Sequence, residues 1–198
     1  MESRALARVE KKAAQKGRTI VFLDLSRVYL LRMVVVMYAP CGCTPIMKEW
    51  FSYNHLSMIG AVTLQFRMFL KTYPHSITSR EVVAFLRQLQ RLIPGLLQVI
   101  WDGSPTYYCL ANKDYLATGA TRRRHLERFP GNFPELNPTE WVWSYLKLIE
   151  LANIACNQLS ESDAHLKKTK KRLKSKPNLT QAFIQDADYV VRLLCGYQ

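Results

Sequence analysis

The order of apolar and polar positions along the chain predicts an α/β protein. Two nearly continuous apolar runs, at residues 19–24 and 96–101, have the pattern of strands that are buried on both faces of a sheet. Between them, residues 55–64 form an apolar strand pattern, and residues 66–73 alternate well enough to be its antiparallel neighbour. Strand patterns therefore make up much of the first half of the chain.

Helical spacing and stop signals predict the remaining elements. Thr78 and Glu81 form a capping box, and the apolar residues after it recur at helical spacing until Pro94. The turn-forming segment 39–45, flanked by strand candidates, predicts an inserted hairpin. The other predicted elements are a helix over 1–16 that stops at Gly17, hairpin strands at 28–37 and 46–51, a helix over 107–118, a strand over 125–129, and helices over 161–175 and 180–194.

The segment from Pro134 to Trp143 fixes a carboxylate at the start of a long helix. Asn137 suits the N-cap, Pro138 suits the first helical position, and Glu140 then falls at the third. The alternative interpretation is that Glu140 only completes a capping box. The helix is predicted to bury a stripe of Val142, Leu146 and Ile149 with Tyr145 and Leu148 beside them, and to carry Glu140, Ser144, Lys147 and Leu151 on another side.

Two more carboxylates follow the buried strands directly. Asp24 closes the run 19–24, and Asp102 follows the run 96–101. A carboxylate at the exit of a buried strand is unfavourable unless a cation or a hydrogen-bond donor meets it, so both positions point to a site. On local sequence alone, Asp24 could equally be a turn-forming aspartate. If the two strands lie side by side in one sheet, the two aspartates become neighbours.

Positive charge points to a polyanionic partner. The 198 residues, enough for one domain with a core, carry a formal net charge of +13. Basic residues concentrate at 122–124 and 167–176, where phosphate contacts are expected, although a solvated helix face is the alternative for the second cluster. Lys147 shares a helix face with Glu140 and is a predicted DNA-binding residue, although the alternative is an exposed solubilising lysine. The other predicted DNA-binding residues are Arg122, Arg123, Arg124, Lys167, Lys168, Lys170 and Lys171.

Several classes of protein and site are disfavoured. No apolar run is long enough to cross a bilayer and the first segment lacks the apolar centre of a signal peptide, so no membrane partner is expected. Five cysteines at irregular spacing predict reduced thiols in a cytoplasm and not a disulfide framework. Cys41 and Cys43 lack the further ligands of a zinc site, and His55 and His75 are interpreted as surface or loop histidines.

Three carboxylates at one sheet edge suit a pair of hard divalent cations. Mg²⁺ prefers oxygen ligands and retains several waters, so a few carboxylates and the phosphate oxygens of a substrate complete its coordination. Two such ions can activate an attacking oxygen and stabilise a leaving oxygen during phosphodiester cleavage. Asp24, Asp102 and Glu140 therefore predict in-line attack by water, followed by attack of a freed 3′ hydroxyl on a second duplex, without a covalent intermediate.

Three separated segments resemble the catalytic motifs of one family. Residues 22–24, 100–105 and 134–143 are similar, in this order, to the motifs of the DDE transposases of the insertion sequence 630 and mariner-like superfamily. The resemblance implies a ribonuclease-H-like mixed sheet flanked by helices, with an inserted β-hairpin, over residues 18–198, after a linker helix over 1–17. It also implies a DNA-cleaving and strand-transferring enzyme that uses two Mg²⁺ ions, for which Mn²⁺ substitutes, with Asp24, Asp102 and Glu140 as the catalytic, metal-binding triad.

Departures from the family pattern bear on metal affinity and on partners. This chain has Leu25 where members usually have glutamate, and Thr106 and Tyr107 where they usually have isoleucine and histidine. Members also usually begin with helix-turn-helix domains, whereas this chain starts at the linker helix. The expected partners are therefore double-stranded DNA as element ends and target, a second copy in a homodimer, and a separately encoded helix-turn-helix subunit. The alternatives are an inactive or truncated remnant that binds DNA non-specifically, and a repair or recombination nuclease with the same fold.

Overall fold

A five-stranded sheet is the framework of the described part of the chain, which comprises residues 10–29, 40–43, 55–101, 123–128, 136–152 and 159–187 of a computed structural model. The strands are β1 (Arg18–Tyr29), β2 (His55–Thr63), β3 (Met68–Tyr73), β4 (Leu96–Trp101) and β5 (Arg124–Arg128). Their spatial order is β3-β2-β1-β4-β5, and the central strand β1 pairs antiparallel with β2 and parallel with β4. The two apolar runs therefore lie side by side, which is the condition under which Asp24 and Asp102 are expected to be neighbours.

Helices cover both faces of this sheet. Helix α1 (Ser79–Leu92) packs on the face that carries Val21 and Leu23. The opposite face carries Phe22 and is covered by α2 (Pro138–Tyr145), α3 (Leu159–Lys174) and α4 (Pro177–Asp186). Because successive strand residues point to opposite faces, the apolar run of β1 contributes to both cores. The predicted mixed sheet flanked by helices is confirmed.

The N-terminus of α1 is held by the predicted capping box. The Thr78 hydroxyl accepts a hydrogen bond from the backbone N–H of Arg80 at 3.3 Å, and the Glu81 carboxylate accepts one from the backbone N–H of Thr78 at 2.8 Å. The Thr78 hydroxyl also donates to the Glu81 carboxylate, and this bond is the main cause that lowers the pKa of Glu81 below its usual 4.5. The ionised form of Glu81 therefore stabilises the folded state.

Replacement of Glu81 by glutamine is expected to destabilise the protein at neutral pH and to lose this effect in acid. The pKa in the folded state is lowered, so the carboxylate contributes stability above its usual pKa of 4.5, and this contribution disappears as the pH falls through the lowered value. Urea unfolding of the wild type and of Glu81→Gln, at about pH 7 and about pH 3, measures this dependence. A stability difference that grows toward the acid side contradicts the assigned bond.

A π-helical segment, Leu146–Glu150, follows α2 and changes which side chains are buried. The backbone N–H of Leu151 donates to the carbonyl of Leu146, five residues earlier, at 2.9 Å. Leu146 is fully buried, whereas Leu148 is 50% and Ile149 63% exposed. The predicted burial of Ile149 and Leu148 is therefore wrong, because the extra residue in the wider turn rotates the following side chains out of helical phase.

The π-helical segment also places the carboxylate of Glu150 in the protein interior. The side chain of Glu150 is nearly fully buried, forms an ion pair with Arg172 of α3 and accepts a hydrogen bond from the Thr169 hydroxyl. A buried carboxylate needs such partners because its desolvation is unfavourable. The pairing attaches the end of the α2 segment to α3, so the two helices form one layer over the sheet.

Some predicted boundaries shift, and some predicted elements lie outside the described residues. Strand β1 continues past Asp24 to Tyr29 and includes the first two residues of the strand predicted at 28–37. Strands β2 and β5 and helix α3 lie where they were predicted, whereas α4 starts earlier, at Pro177, and is described as far as Asp186. The remainder of the inserted hairpin strands, the helix predicted at 107–118 and the end of the helix predicted at 180–194 lie outside the described residues.

The turn and the histidines of the sequence analysis have mixed outcomes. The turn at 40–43 is present, with the backbone N–H of Cys43 donating to the carbonyl of Pro40 at 3.0 Å. His75 is exposed, but His55 begins β2, is half-buried and packs its ring 5.5 Å from that of Tyr29. The interpretation of His55 as a surface or loop histidine is therefore wrong. None of the helices described is long and apolar enough to span a bilayer.

Candidate active site

Asp24 lies in the interior of the central strand. It is 2% exposed and its partner across the antiparallel pair with β2 is Gly60. Its neighbour Leu23 pairs with Trp101, which is the last described residue of β4. The prediction that Asp24 closes its strand is wrong, because antiparallel pairing with β2 holds β1 in the extended conformation for five more residues. Asp24 remains at the point where the described pairing of β1 with β4 stops.

The Asp24 carboxylate is bound by a side chain from α2. The indole N–H of Trp143 donates to Oδ2 of Asp24 at 2.7 Å, and Trp143 is itself 2% exposed. This distance is typical of a hydrogen bond to an ionised group, which is stronger than a bond between neutral groups. A buried carboxylate requires such a donor. The bond therefore joins the central strand to the helix that carries Glu140.

The Trp143 ring fits against Gly60. A Cβ atom on Gly60 would lie 2.6 Å from Cη2 and 2.8 Å from Cζ2 of Trp143, and 2.9 Å from Cδ2 of Leu70. These separations are shorter than van der Waals contact allows, so the ring occupies the space that any side chain at position 60 would need. Gly60 therefore permits the indole to lie over β2 at the residue directly opposite Asp24.

The start of α2 is fixed against the same strand. The Thr139 hydroxyl donates to the backbone carbonyl of Phe22 at 3.3 Å, and the Asn137 side chain accepts from the backbone N–H of Thr139 at 3.1 Å. Asn137 at the N-cap and Pro138 at the first helical position are confirmed. Glu140 follows Thr139 directly, lies in the first turn and is half-buried. The first turn of α2 is therefore held against β1 at Phe22, which precedes Asp24 by two residues.

The third predicted ligand, Asp102, lies outside the described residues, as do Arg122, Thr106 and Tyr107. Within residues 10–29, 40–43, 55–101, 123–128, 136–152 and 159–187, no three His, Cys, Asp or Glu side chains form a group that could hold a metal ion. In the described part of the chain, Asp24 and the helix that carries Glu140 thus lie at the same region of the sheet. The triad as a whole stays a prediction.

The sequence from residue 19 to residue 161 matches the DDE superfamily endonuclease family. The chain belongs to this family. The match includes β1, β4 and α2, which are the elements that carry or directly precede the three predicted ligands. Among curated protein sequences, none matches the chain.

Solved structures share the fold of this DDE endonuclease chain. The catalytic domain of Mos1 mariner transposase matches with a TM-score of 0.55 and 14% identity, over 95% of this chain and 91% of that one. The mariner Mos1 paired-end complex with Mg matches with a TM-score of 0.63 and 15% identity, over 98% of this chain and 60% of that one. The chain thus spans 60% of the length of the Mos1 chain in that complex. The predicted ribonuclease-H-like fold and the predicted membership of a DDE endonuclease family are confirmed.

Leu25, one of the departures from the family pattern, faces away from Asp24. It packs against the core between the sheet and α1, whereas Trp143 binds Asp24 on the opposite face. The alternation of side chains along a strand accounts for this arrangement. Leu25 in this DDE endonuclease therefore packs in the core beside α1, whereas Trp143, which donates to the Asp24 carboxylate, comes from α2.

The predicted DNA-binding lysines of α3 differ in their surroundings. Lys168 and Lys171 are exposed, and Lys167 is exposed but pairs with Asp163 at 2.7 Å. Lys170 is half-buried, and its ammonium donates to the Thr72 hydroxyl of β3 at 3.0 Å. Burial lowers the pKa of Lys170. Lys167, Lys168 and Lys171 remain predicted DNA contacts, whereas the predicted contact of Lys170 would require its ammonium to leave Thr72.

The remaining predicted DNA contacts lie near sheet and helix ends. The guanidinium of Arg123 donates to the backbone carbonyl of Gly95 at 3.1 Å and is otherwise exposed. Arg124 begins β5, and its side chain lies outside the description. Lys147 is half-buried in the π-helical segment, one residue after its start. Their contacts with DNA stay predictions.

Sequence reasoning missed three residues that shape the site, Trp143, Gly60 and Thr139. A signal existed for Gly60, because glycine inside an apolar strand often marks the close approach of another group. Trp143 could have been suspected because it lies three residues after Glu140 and therefore on a neighbouring part of the helix surface. Thr139 carried no signal, since its bond to Phe22 depends on how α2 packs on β1.

Proposed function

We propose that this chain is the catalytic part of a transposase that cleaves DNA strands and transfers them during transposition. The observation that carries the proposal is the buried Asp24 carboxylate, which lies on the central strand and binds the helix whose first turn contains Glu140. The chain also belongs to a family of DDE endonucleases. A buried carboxylate that is bound by the helix carrying a second acidic residue suits an ion-dependent reaction.

Asp24, Asp102 and Glu140 are the proposed metal ligands. Asp102 directly follows Trp101 in the sequence, and Trp101 is the residue of β4 that pairs with Leu23. The donors are all carboxylate oxygens, which fit Mg²⁺ and Mn²⁺. Mos1 paired-end complexes have been solved with Mg and with Mn. When bound, two such ions would activate an attacking oxygen and stabilise a leaving oxygen.

The protein itself contributes orientation. Thr139 and Trp143 attach α2 to β1 on both sides of Glu140, so the helix turn that carries Glu140 is held against the strand that carries Asp24. A fixed geometry lowers the entropic barrier of an in-line displacement. In the proposed reaction, a water oxygen bonds to the phosphorus as the bond to the 3′ oxygen breaks. The freed 3′ hydroxyl then attacks a phosphodiester of the target in the same manner.

Double-stranded DNA, as element ends and as target, is the proposed substrate. The net charge of +13 favours a polyanion. Mos1 transposase has been solved as a paired-end complex with the left transposon end. A homodimer on paired ends and a separately encoded helix-turn-helix subunit are the proposed protein partners.

Substitution of both Lys168 and Lys171 by glutamine is expected to weaken DNA binding and to reduce its salt dependence. Both ammonium groups are exposed on α3, and each phosphate contact contributes about 0.9 to the slope of log affinity against log salt concentration. The slope should therefore decrease by about 1.8 in the double variant, as measured by fluorescence anisotropy with a labelled duplex over a range of salt concentrations.

Lys170→Gln is the matched control on the same helix. Its ammonium binds Thr72, so we expect a loss of stability with an unchanged salt slope. An unchanged slope in the Lys168 and Lys171 double variant would show that α3 does not contact the DNA backbone. A reduced slope in Lys170→Gln would show that this lysine leaves Thr72 to bind phosphate.

Nicking of supercoiled plasmid tests the proposed function. The wild-type chain should nick the plasmid when Mg²⁺ or Mn²⁺ is present, lose this activity with a chelator, and regain it when the ion is restored. Asp102→Asn should bind DNA without nicking it. Salt-sensitive DNA binding by the wild type with no nicking under either ion would contradict the proposal, and would identify a DNA-binding remnant.

A further inference from the structure

We infer that Trp143 is a positioning residue that orients the Asp24 carboxylate for ion binding, and that Gly60 is required because it makes room for Trp143. The inference rests on the proposed function, since that function gives Asp24 its role as a ligand. It is carried by one bond and one close packing contact, the 2.7 Å bond from the indole N–H to Oδ2 of Asp24 and the fit of the ring over Gly60.

The hydrogen bond fixes one oxygen of Asp24 in a single direction. An indole has one N–H donor and no acceptor, so the bond cannot reverse. Trp143 and Asp24 are each 2% exposed, and the ring belongs to the core between the sheet and α2. Free rotation of the carboxylate would break this bond. The carboxylate plane is therefore set by the position of the ring.

The position of the ring depends in turn on Gly60. The two indole atoms nearest to the missing side chain, Cη2 and Cζ2, belong to the six-membered part of the ring, and Cζ2 is bonded to the same carbon, Cε2, as the indole nitrogen. A methyl group at position 60 would push this edge of the ring off β2. Because the ring is rigid, the N–H would move together with it, away from Asp24.

Trp143 also relates the two proposed ligands to each other. Glu140 precedes it by three residues on α2, and residues at this spacing are neighbours on a helix surface. One helix therefore carries a carboxylate and the donor that orients a second carboxylate on β1. This arrangement holds the strand position of Asp24 and the helix position of Glu140 close together before any ion binds. Ion affinity is then higher, because the two side chains need less ordering when the ion binds.

The test is the affinity for Mn²⁺ of the purified 198-residue chain, measured by electron paramagnetic resonance of the free ion. Trp143→Phe keeps an aromatic ring in the core but removes the N–H. We expect its Mn²⁺ dissociation constant to rise by about 10-fold or more, the usual effect of removing a group that orients a metal ligand. A purely structural role for Trp143 leaves the dissociation constant of the folded protein unchanged.

Val142→Ala is the control for stability. Val142 is fully buried on the same helix and belongs to the same core, but its aliphatic side chain cannot donate a hydrogen bond to Asp24. Urea unfolding measures the stability of each variant, and the Mn²⁺ titration is made where each is folded. We expect Val142→Ala to lose stability with an unchanged Mn²⁺ dissociation constant. Equal weakening of Mn²⁺ binding in Val142→Ala and Trp143→Phe would overturn the inference.

Gly60→Ala provides a second route to the same result. The single variant should weaken Mn²⁺ binding about as much as Trp143→Phe, because it displaces the indole. In the double variant, alanine should add little, since phenylalanine lacks the two indole atoms nearest to the new methyl group, and the third near atom, Cδ2 of Leu70, is the end of a flexible side chain. Additive effects, or a Gly60→Ala variant with wild-type Mn²⁺ affinity, would overturn the link between Gly60 and Asp24.

Failure of this inference can be told apart from failure of the proposed function. A wild-type chain that binds Mn²⁺ and nicks DNA, together with a folded Trp143→Phe variant of unchanged Mn²⁺ affinity, overturns the positioning role alone. A wild-type chain that neither binds Mn²⁺ nor nicks DNA overturns both. Weaker Mn²⁺ binding in Trp143→Phe and in Gly60→Ala, with an unchanged Mn²⁺ dissociation constant in Val142→Ala, supports both the positioning role of Trp143 and the proposed function.

Discussion

Asp24→Asn and Glu140→Gln are each expected to lower the rate of metal-dependent DNA nicking by about 1,000-fold. A bound metal ion contributes several kcal/mol of transition-state stabilisation, and each 1.36 kcal/mol is a factor of ten in rate. Asparagine at position 24 still offers an oxygen to the Trp143 indole, so the local packing should be retained while the charge is lost. Conversion of supercoiled plasmid to open circles under Mg²⁺ measures the rate.

Asp186→Asn is the matched control for this pair. It also removes one negative charge, but from the exposed end of α4. Its nicking rate should equal that of the wild type. If Asp24→Asn retained more than about a tenth of the wild-type rate, Asp24 would not be a ligand of an essential ion. If Asp186→Asn lost activity to the same extent, the effect would be one of net charge on DNA binding.

Leu146→Ala is expected to reduce the free energy of unfolding by about 2–5 kcal/mol, the usual range for truncating a fully buried leucine. Leu146 is the first residue of the π-helical segment and lies in the core that covers Phe22. The change removes packing at the junction between α2 and the sheet. Urea unfolding monitored by circular dichroism gives the difference between variant and wild type.

Ile149→Ala tests whether the π-helical phase is correct. In a regular α-helix, Ile149 would share the buried stripe with Leu146, whereas in this structure its side chain is 63% exposed. We therefore expect a change within about 0.5 kcal/mol, as for most surface substitutions. A loss as large as that of Leu146→Ala would show that the segment is α-helical and that the predicted stripe is buried after all.

Much of the sheet could be predicted because its signals are local. The runs at 19–24 and 96–101 are apolar on both faces. Such a strand is buried on both faces only when it lies inside the sheet and helices cover both sides. The N-terminus of α2 was equally readable, since Asn137 and Pro138 each have a structural role that depends on the first turn alone. Neither prediction required knowledge of distant contacts.

The missed features depend on contacts between distant parts of the chain. Strand β1 continues past Asp24 because β2 pairs with it as far as Tyr29, and no residue near position 24 indicates this. The π-helical turn has no sequence signature in the residues that form it, and Glu150 becomes buried there because α3 supplies Arg172. The bond from Trp143 to Asp24 links positions 119 residues apart. The spacing of acidic residues could suggest a shared ion, but not which donor orients them.

The most direct test of the account is a crystal structure of the chain grown with Mn²⁺ and examined by anomalous scattering. We predict two anomalous peaks about 3.5–4 Å apart at the edge of the sheet beside β1, β4 and α2, with carboxylate oxygens of Asp24, Asp102 and Glu140 about 2.0–2.2 Å from the ions. Mn²⁺ bound elsewhere, or any of the three carboxylates pointing to another face of the protein beyond the reach of a common ion, would contradict the account.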